Sequence, residues 1–569
     1  MQQARTFDVI IVGGGTAGCV LAARLSACDS LQVLLLEAGS DKNNDPKVLT
    51  PLTSRRMFND PEYDWCYTST PQQGLNGRNV ENTRGRMLGG SSAINSHSLV
   101  YPNRAMHDAW ASIAGDSCWS WNHIQPYYRK FQSDPELEGS DGPIQASYPA
   151  HMHIMQKAWE DVFDSLDARS PKHGERSFAG NTYLATATRR SNLVVETNAL
   201  VHKLVFKKAD NVEGAKLQAT GVYYEKAGQM ILAQASNEVV LCAGAFGSPQ
   251  ILELSGIGSH VILEEAGVDC LLDLPRVGEN LQDHLNYGPS VEILPDIETM
   301  DVARRDAKAA AAQREEYDQH KTGPLSEGAA YSFAYWPLQL FNTPGENDAL
   351  HDLVKGLGRP ADELTQEQYD FVCRMLTEKS EATATVFMTR IQRHTTLKDL
   401  ADGNYMTVVA MLAHPLSRGS VHIHSANPHE QPRIDNGYLT HPLDAEILAK
   451  HALQIETLLD QDIYASILRP NGNRLPRDFS QRLRSEEEAK EAIRKYGATN
   501  YHPCGTCVMA RDGMGGVVDG QLKVHGTVNL RVCYASIFPI IPRGNILSTV
   551  YAVAELGADI ILRNLTKAK

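Results

Sequence analysis

No apolar run in this 569-residue chain approaches the roughly 18 residues that a bilayer crossing requires, so a membrane-inserted protein is not expected. Positive charge is also short: 54 Lys and Arg stand against 68 Asp and Glu, a net charge of −14. A surface of that sign repels a phosphate backbone and anionic lipid, which removes nucleic acid and membrane surfaces from the expected partners. The ten cysteines lack the density and regular spacing of a disulfide framework, and read as mostly free and buried. There is little room for a leader peptide. The opening MQQARTFDVIIVGGG places the first buried strand near Phe7, ahead of which a charged head, an apolar segment and a cleavage site do not fit. The expected location is therefore intracellular, cytoplasmic or organellar.

What is present is the composition of a globular enzyme, with 42% hydrophobic and 21% charged residues. The length exceeds what one core usually supports, so two domains or one large elaborated fold is expected. FDVIIVGGGTAGCVLAARLSACDSLQVLLLEAG is an apolar run, a glycine turn, a helix pattern and a second apolar run ending in Glu37, which together read as a βαβ unit. Gly13, Gly15 and Gly18 fit G-x-G-x-x-G: the first makes the turn, the second lets backbone approach a pyrophosphate, and the third lets helix pack on strand. The pyrophosphate then sits at a helix N-terminus, whose unpaired N–H groups favour negative charge. Glu37 is placed to accept from a ribose hydroxyl. This much predicts a dinucleotide and leaves NAD and FAD both open.

Two further segments, NTRGRMLGGSSAIN at 82–95 and LCAGAFGSPQILELSGIG at 241–258, are dense in small residues at apparent strand–helix junctions. Together with the first motif, and with ATNYHPCGT and VHGTVNLRVCYASIFPIIPRGNILSTVYAVAELGADIIL near the C-terminus, the chain resembles the glucose-methanol-choline (GMC) oxidoreductase family. The resemblance covers nearly the whole chain and is weakest between about 300 and 400. It implies an α/β fold: a Rossmann-like FAD-binding domain of the GMC and p-hydroxybenzoate hydroxylase type, plus an α+β substrate-binding domain with a mainly antiparallel sheet. The flavin domain is expected to be discontinuous, 1–150, 195–295 and 495–569, with 151–194 and 296–494 forming the substrate domain. The hairpin-like stretch 414–439 resembles the start of the substrate-domain sheet that roofs the flavin. Residues 302–321, helix-forming and polar all round, read as one solvated surface helix, and ILSTVYAVAELGADIILRNL as a buried terminal helix.

The resemblance further implies FAD contacts from Gly13, Gly15, Thr16, Ala17, Gly18, Glu37 and Ala38 at the ADP half, with Val201 near the adenine. Arg86, Leu88, Gly89, Gly90, Ser91, Asn95, Ser96, His97 and Ser98 are expected along the flavin, joined by Ala243, Gly244, Tyr534, Ala535, Asn545 and Ile546. Some members tether FAD through a histidine one position before the Asn of G-G-S-S-x-x-N. Here that position is Ile94, so the flavin is expected to be noncovalent. The family usually has an aspartate where this chain has Tyr534, a departure that bears on flavin packing.

His502, two positions ahead of Cys504-x-x-Cys507, raises three readings: a zinc site, a redox dithiol, or a lone base. Residues 498–510 offer neither a fourth ligand nor a thioredoxin-like βαβ context, so the first two lack support and no metal is expected. The His-Pro-x-Gly-Thr match implies that His502 is the base taking the hydroxyl proton of an alcohol while flavin N5 takes the hydride. Asn545 aligns with the family's second polar residue and would fix the substrate oxygen; a helix cap is the competing role. The implied activity is oxidation of a small-molecule alcohol, with dioxygen the expected acceptor and a monomer or homodimer the expected state. Fungal origin and a place in secondary metabolism follow from the resemblance alone. A family lyase or cyclase that keeps FAD structurally is the second reading. Formate oxidase is a third, disfavoured because the arginine it carries at the position of Asn545 is absent and Arg543 lies two residues earlier. An NAD-dependent dehydrogenase would explain only the first motif.

Overall fold

The computed structural model describes residues 5–134, 140–147, 153–162, 166–167, 170–171, 175–209, 217–328, 332–340, 342–395 and 399–567. Strands Arg5–Val12 and Val33–Leu36 are the two apolar runs of the N-terminal motif, and they pair in parallel around helix Thr16–Leu25. Their residues are buried on both faces, which is why they read as continuous rather than alternating apolar sequence. The sheet they nucleate runs in the order Ala199–Lys208, Leu217–Lys226, Gln229–Leu241, Arg5–Val12, Val33–Leu36, Leu193–Glu196, with Leu530–Val532 added in parallel to Gln229–Leu241. Widely separated stretches of chain thus meet in one sheet.

The terminal helix, Leu547–Lys567, is largely buried, as the sequence predicts, and it packs along Thr16–Leu25. Inside this apolar contact the Glu555 carboxylate is fully buried, held by Arg24 at 2.7 Å and by the Tyr183 hydroxyl at 2.6 Å. Lys130 Nζ reaches its second oxygen at 3.2 Å, and a buried carboxylate persists there because it is paired and hydrogen-bonded.

A second, eight-stranded antiparallel sheet has the order Arg474–Leu475, Ser290–Ile293, Asn404–Leu412, Ala384–Thr389, Ser332–Trp336, Leu166–Asp167, with Leu285–Tyr287 pairing both Asn404–Leu412 and Ala498–Thr499. Helices Pro442–Leu459 and Glu486–Tyr496 cover one side of it, enclosing a separate apolar core. Strands Leu285–Tyr287, Ser290–Ile293 and Ala498–Thr499 belong to this sheet although the sequence division at 295 and 495 leaves them on the flavin side. The chain crosses between sheets near 285 and again near 499, and the site lies at those crossings.

Two expectations are corrected. The 414–439 stretch is a separate two-stranded sheet, Ser420–His422 with Arg433–Asp435, and does not join the eight-stranded one. Only Val421 and Ile434 point inward, against Phe246 and Tyr67, and His422 fastens the hairpin to Glu253 at 2.7 Å and Glu279 at 3.0 Å. These two carboxylates push the His422 pKa up to about 9 against the cost of its burial, so it is a charged clamp to helix Gly244–Leu254. The 302–321 stretch is two helices, Met300–Arg305 and Ala307–His320, because the Asp306 side chain accepts from Lys308 N and caps the second. Nor is it solvated all round: Tyr317 is buried.

Candidate active site

The nucleotide cradle is built by backbone. Gly13 adopts φ 100°, and a Cβ on Gly18 would lie 1.9 Å from the Gly13 carbonyl oxygen, so both positions require glycine. Gly15 differs: its φ is −73°, and a Cβ there would meet nothing nearer than 3.9 Å. It faces open space at the start of a ten-residue helix whose N-terminus has no side-chain cap. Unpaired N–H groups pointing into an open cradle fit a pyrophosphate. Thr16, Ala17 and Gly18 form the buried first turn of that helix.

The Glu37 carboxylate accepts from Gly14 N and Gly39 N, each at 2.7 Å, which fixes its orientation at the end of the second strand beside Ala38. Burial pushes its pKa up to about 7, and the two backbone donors pull the other way. Ala199 N donates to the Glu37 carbonyl at 2.9 Å, bringing the strand that carries Val201 alongside. Gly89 N donates to Gly14 O at 2.8 Å, joining the Leu88, Gly89, Gly90 and Ser91 turn to the glycine loop. Cys242 N donates to Val12 O at 2.7 Å and leads into Ala243 and Gly244. Asn95 is held through its carbonyl by buried Arg176 at 2.8 Å, and Arg86 stacks on Trp65 at 5.0 Å. Ser96, His97 and Ser98 follow, with His97 Nε2 buried and unpartnered. The Tyr534 ring is buried, and Ala535 O accepts from Gly505 N at 3.1 Å. Backbone hydrogen bonds thus join the segments that carry Gly14, Glu37, Gly89, Ala199 and Cys242, and the buried, unpartnered Arg86 Nε, Ser536 Oγ and Asn545 Oδ1 fit a polar ligand such as FAD.

The catalytic end is set by pairing Leu285 with Thr499 and Gln282 with Cys504, which places His284 against His502. Their Nδ1 atoms are 2.8 Å apart, so one donates and the other accepts. His284 Nε2 lies 3.0 Å from the Ala413 carbonyl oxygen, which can only accept. Burial holds the His284 pKa down to about 4, so it is neutral with its single proton on Nε2. Its Nδ1 then accepts from His502 Nδ1–H, which leaves the lone pair of His502 on Nε2. The His502 pKa is held well below the usual histidine range by burial, by His284 and by Arg84, so His502 is neutral as well.

Asp283 holds the loop. Its carboxylate accepts from His284 N and His502 N at 2.8 Å each, from the Thr499 hydroxyl at 2.6 Å, and from the Tyr438 hydroxyl. Tyr501, immediately before the base, takes the left-handed region at φ 61°, locked by its N–H to Thr499 Oγ1 at 2.7 Å and by Arg84 to its carbonyl at 2.5 Å. Asn545 sits just before the terminal helix, and its Oδ1 makes no hydrogen bond, so that oxygen caps nothing. The two residues are not hydrogen-bonded to each other.

Cys504 and Cys507 are free and buried, and burial raises both thiols, so neither is a thiolate nucleophile. Among the described residues they form no metal-ligand cluster with His502. No described helix is long and apolar enough to cross a membrane. His284 and Asp283 were not singled out in the sequence. The only signal was a buried-type acid beside a histidine in GENLQDHL.

Comparisons with known proteins bear on the family and the fold. Family models described as GMC oxidoreductase match residues 7–286 and 415–554. The dehydrogenase citC of Monascus ruber is 32% identical, over 98% of this chain and 96% of that protein. Among solved structures, a formate oxidase variant from Aspergillus oryzae superposes with TM-score 0.86 at 27% identity, covering 100% of both chains. An FAD-dependent oxidoreductase from Chaetomium thermophilum gives TM-score 0.85 at 27% identity over 98% of this chain and 100% of that one.

Proposed function

Because the chain belongs to the GMC oxidoreductase family, whose members are FAD-dependent flavoproteins, we propose that it oxidises the CH–OH group of a small-molecule alcohol with His502 as base. The observation that carries this reading is the proton arrangement of the histidine pair, which leaves His502 Nε2 able to accept a proton. FAD, when bound in the cradle, supplies the hydride acceptor. His502 removes the hydroxyl proton, and the Asn545 carboxamide, whose N–H can donate to the substrate oxygen, holds that oxygen in place. Dioxygen is the proposed terminal acceptor. A formate reading lacks its anion holder at this position: Asn545 is neutral, and Arg543 is drawn aside over the Tyr335 ring at 4.3 Å and toward Glu381 at 3.5 Å.

The flavin is proposed to be noncovalent, since Ile94 offers no nucleophile. Acid precipitation is expected to release all of the yellow chromophore into the supernatant; flavin that stays with the pellet overturns this. The pH dependence has a definite sign. A base must be unprotonated to act, so activity is lost as pH falls through the folded-state pKa of His502, which burial holds well below 6.5. A profile of kcat/KM is expected to be flat through neutrality with its acid limb well below 6.5. An acid limb at or above 6.5 contradicts the assignment.

A further inference from the structure

Arg393 carries a charge that meets no carboxylate among the described residues. Other buried arginines meet a carboxylate or several carbonyls. Arg531 forks onto Glu238 at 2.8 and 3.1 Å, and Arg474 reaches Glu456 at 2.6 Å. Arg176 lacks a carboxylate but donates to the carbonyls of Val48, Ser92, Asn95 and Pro51, and Arg418 to two carbonyls and Asn280. Arg393 has one side-chain acceptor among the described residues, the Asn286 carboxamide oxygen at 2.9 Å. Its remaining N–H donors pair with no carboxylate among the described residues.

The position is rigid. Gln392 N is tied to the Asp301 carboxylate at 3.0 Å, Arg393 N to Ser290 Oγ at 2.9 Å, and His394 Nε2 to Gly288 O at 2.8 Å. The residue is half-buried, and its partner Asn286 ties it to the loop of the base: Asn286 lies two residues beyond His284 and donates to Asn500 Oδ1 at 3.3 Å. Burial, with repulsion from Arg55, pushes the guanidinium pKa down to about 10, which leaves it charged at neutral pH.

The surroundings are all of one sign. Arg55 lies 5.6 Å from the Phe58 ring, which packs edge-on to Tyr501 at 5.2 Å, and Arg84 holds the Tyr501 carbonyl. The carboxylate nearest the base, Asp283, is consumed by four hydrogen bonds. Arg84 acts on His502 and Arg55 on Arg393, and in a chain of net charge −14 a set of three arginines, none of which pairs with a carboxylate among the described residues, favours an anion.

We propose that Arg393 anchors a carboxylate on the substrate, so that this enzyme acts on alcohols bearing an acid group. A planar carboxylate matches the fork of the guanidinium, and the Arg393 donors left free by Asn286 are available to it. This rests on the reading of His502 as the base of an alcohol oxidation. The test keeps the two claims separate by measuring binding and reduction on the holoenzyme.

Binding is read from the perturbation of the flavin spectrum by benzoate and by its neutral isostere benzamide. Reduction is read anaerobically with para-hydroxymethylbenzoate and para-hydroxymethylbenzamide. Benzoate is expected to bind more tightly than benzamide by about a hundredfold, the scale of a desolvated, hydrogen-bonded charge pair. Arg393→Met is expected to abolish that preference, and Arg393→Lys, which keeps the charge and loses the fork, to retain part of it. Equal binding of benzoate and benzamide, or a preference that survives Arg393→Met, overturns the proposal. Benzoate binding that depends on Arg393 while neither alcohol reduces the flavin supports the anion site and sinks the alcohol reading instead.

Discussion

His502→Ala is expected to keep its flavin and lose about two to four orders of magnitude in the rate of anaerobic flavin reduction by alcohol. The size follows from the role: without an acceptor for the hydroxyl proton, the hydride must leave a neutral alcohol. Retention of the fold follows from geometry, because Asp283 holds the loop through the backbone N–H of His502 and not through its ring. The substitution leaves His284 Nδ1 without its donor, a cost of about 1–3 kcal/mol in stability, which a large two-core protein absorbs. Stopped-flow reduction of the variant is the check. A rate within a few-fold of the parent means that the proton goes elsewhere.

The second large effect separates two glycines of one motif. Gly15→Val is expected to leave the apoprotein folded and to weaken flavin binding by at least about a hundredfold, equivalent to about 2.7 kcal/mol. At φ −73° any side chain is sterically allowed, and the nearest protein atom to a new Cβ is 3.9 Å away, so the side chain enters the cradle without disturbing the fold. Gly18→Ala behaves differently. Its Cβ would meet the Gly13 carbonyl oxygen at 1.9 Å, so helix and strand must separate and stability falls with cofactor binding. Flavin content together with thermal unfolding of the two apoproteins distinguishes these outcomes. Full flavin content in Gly15→Val would place the pyrophosphate elsewhere.

How much of this was legible in the sequence depended on the distance over which each signal acts. The glycine loop, Glu37 and the terminal helix are local patterns whose turn, helix period and apolar runs announce themselves within about thirty residues. His284 is not local. It gains meaning only from a partner 218 residues away, brought beside it by a strand pairing that neither segment encodes alone. Arg393 is illegible for a related reason: in sequence it is one arginine among many, and only the fold shows that no acid among the described residues meets it. The 414–439 hairpin was assigned to the larger sheet because its alternation is that of any half-buried strand pair. Which sheet it joins is decided by the His422 clamp to Glu253 and Glu279, again contacts between distant segments. The break at Asp306 could have been found locally, since an aspartate followed by an alanine-rich run is an N-cap signal.

The central claim is that this chain uses bound flavin and His502 to oxidise an alcohol. It is tested most directly by the visible spectrum of the purified holoenzyme, recorded before and after anaerobic addition of benzyl alcohol, a short aliphatic alcohol and para-hydroxymethylbenzoate, and again after air is readmitted. The account predicts that alcohol bleaches the oxidised-flavin absorption, most rapidly for the acid-bearing alcohol, and that air restores it. Flavin that stays oxidised with every alcohol contradicts the account and favours a protein that holds FAD without reducing it.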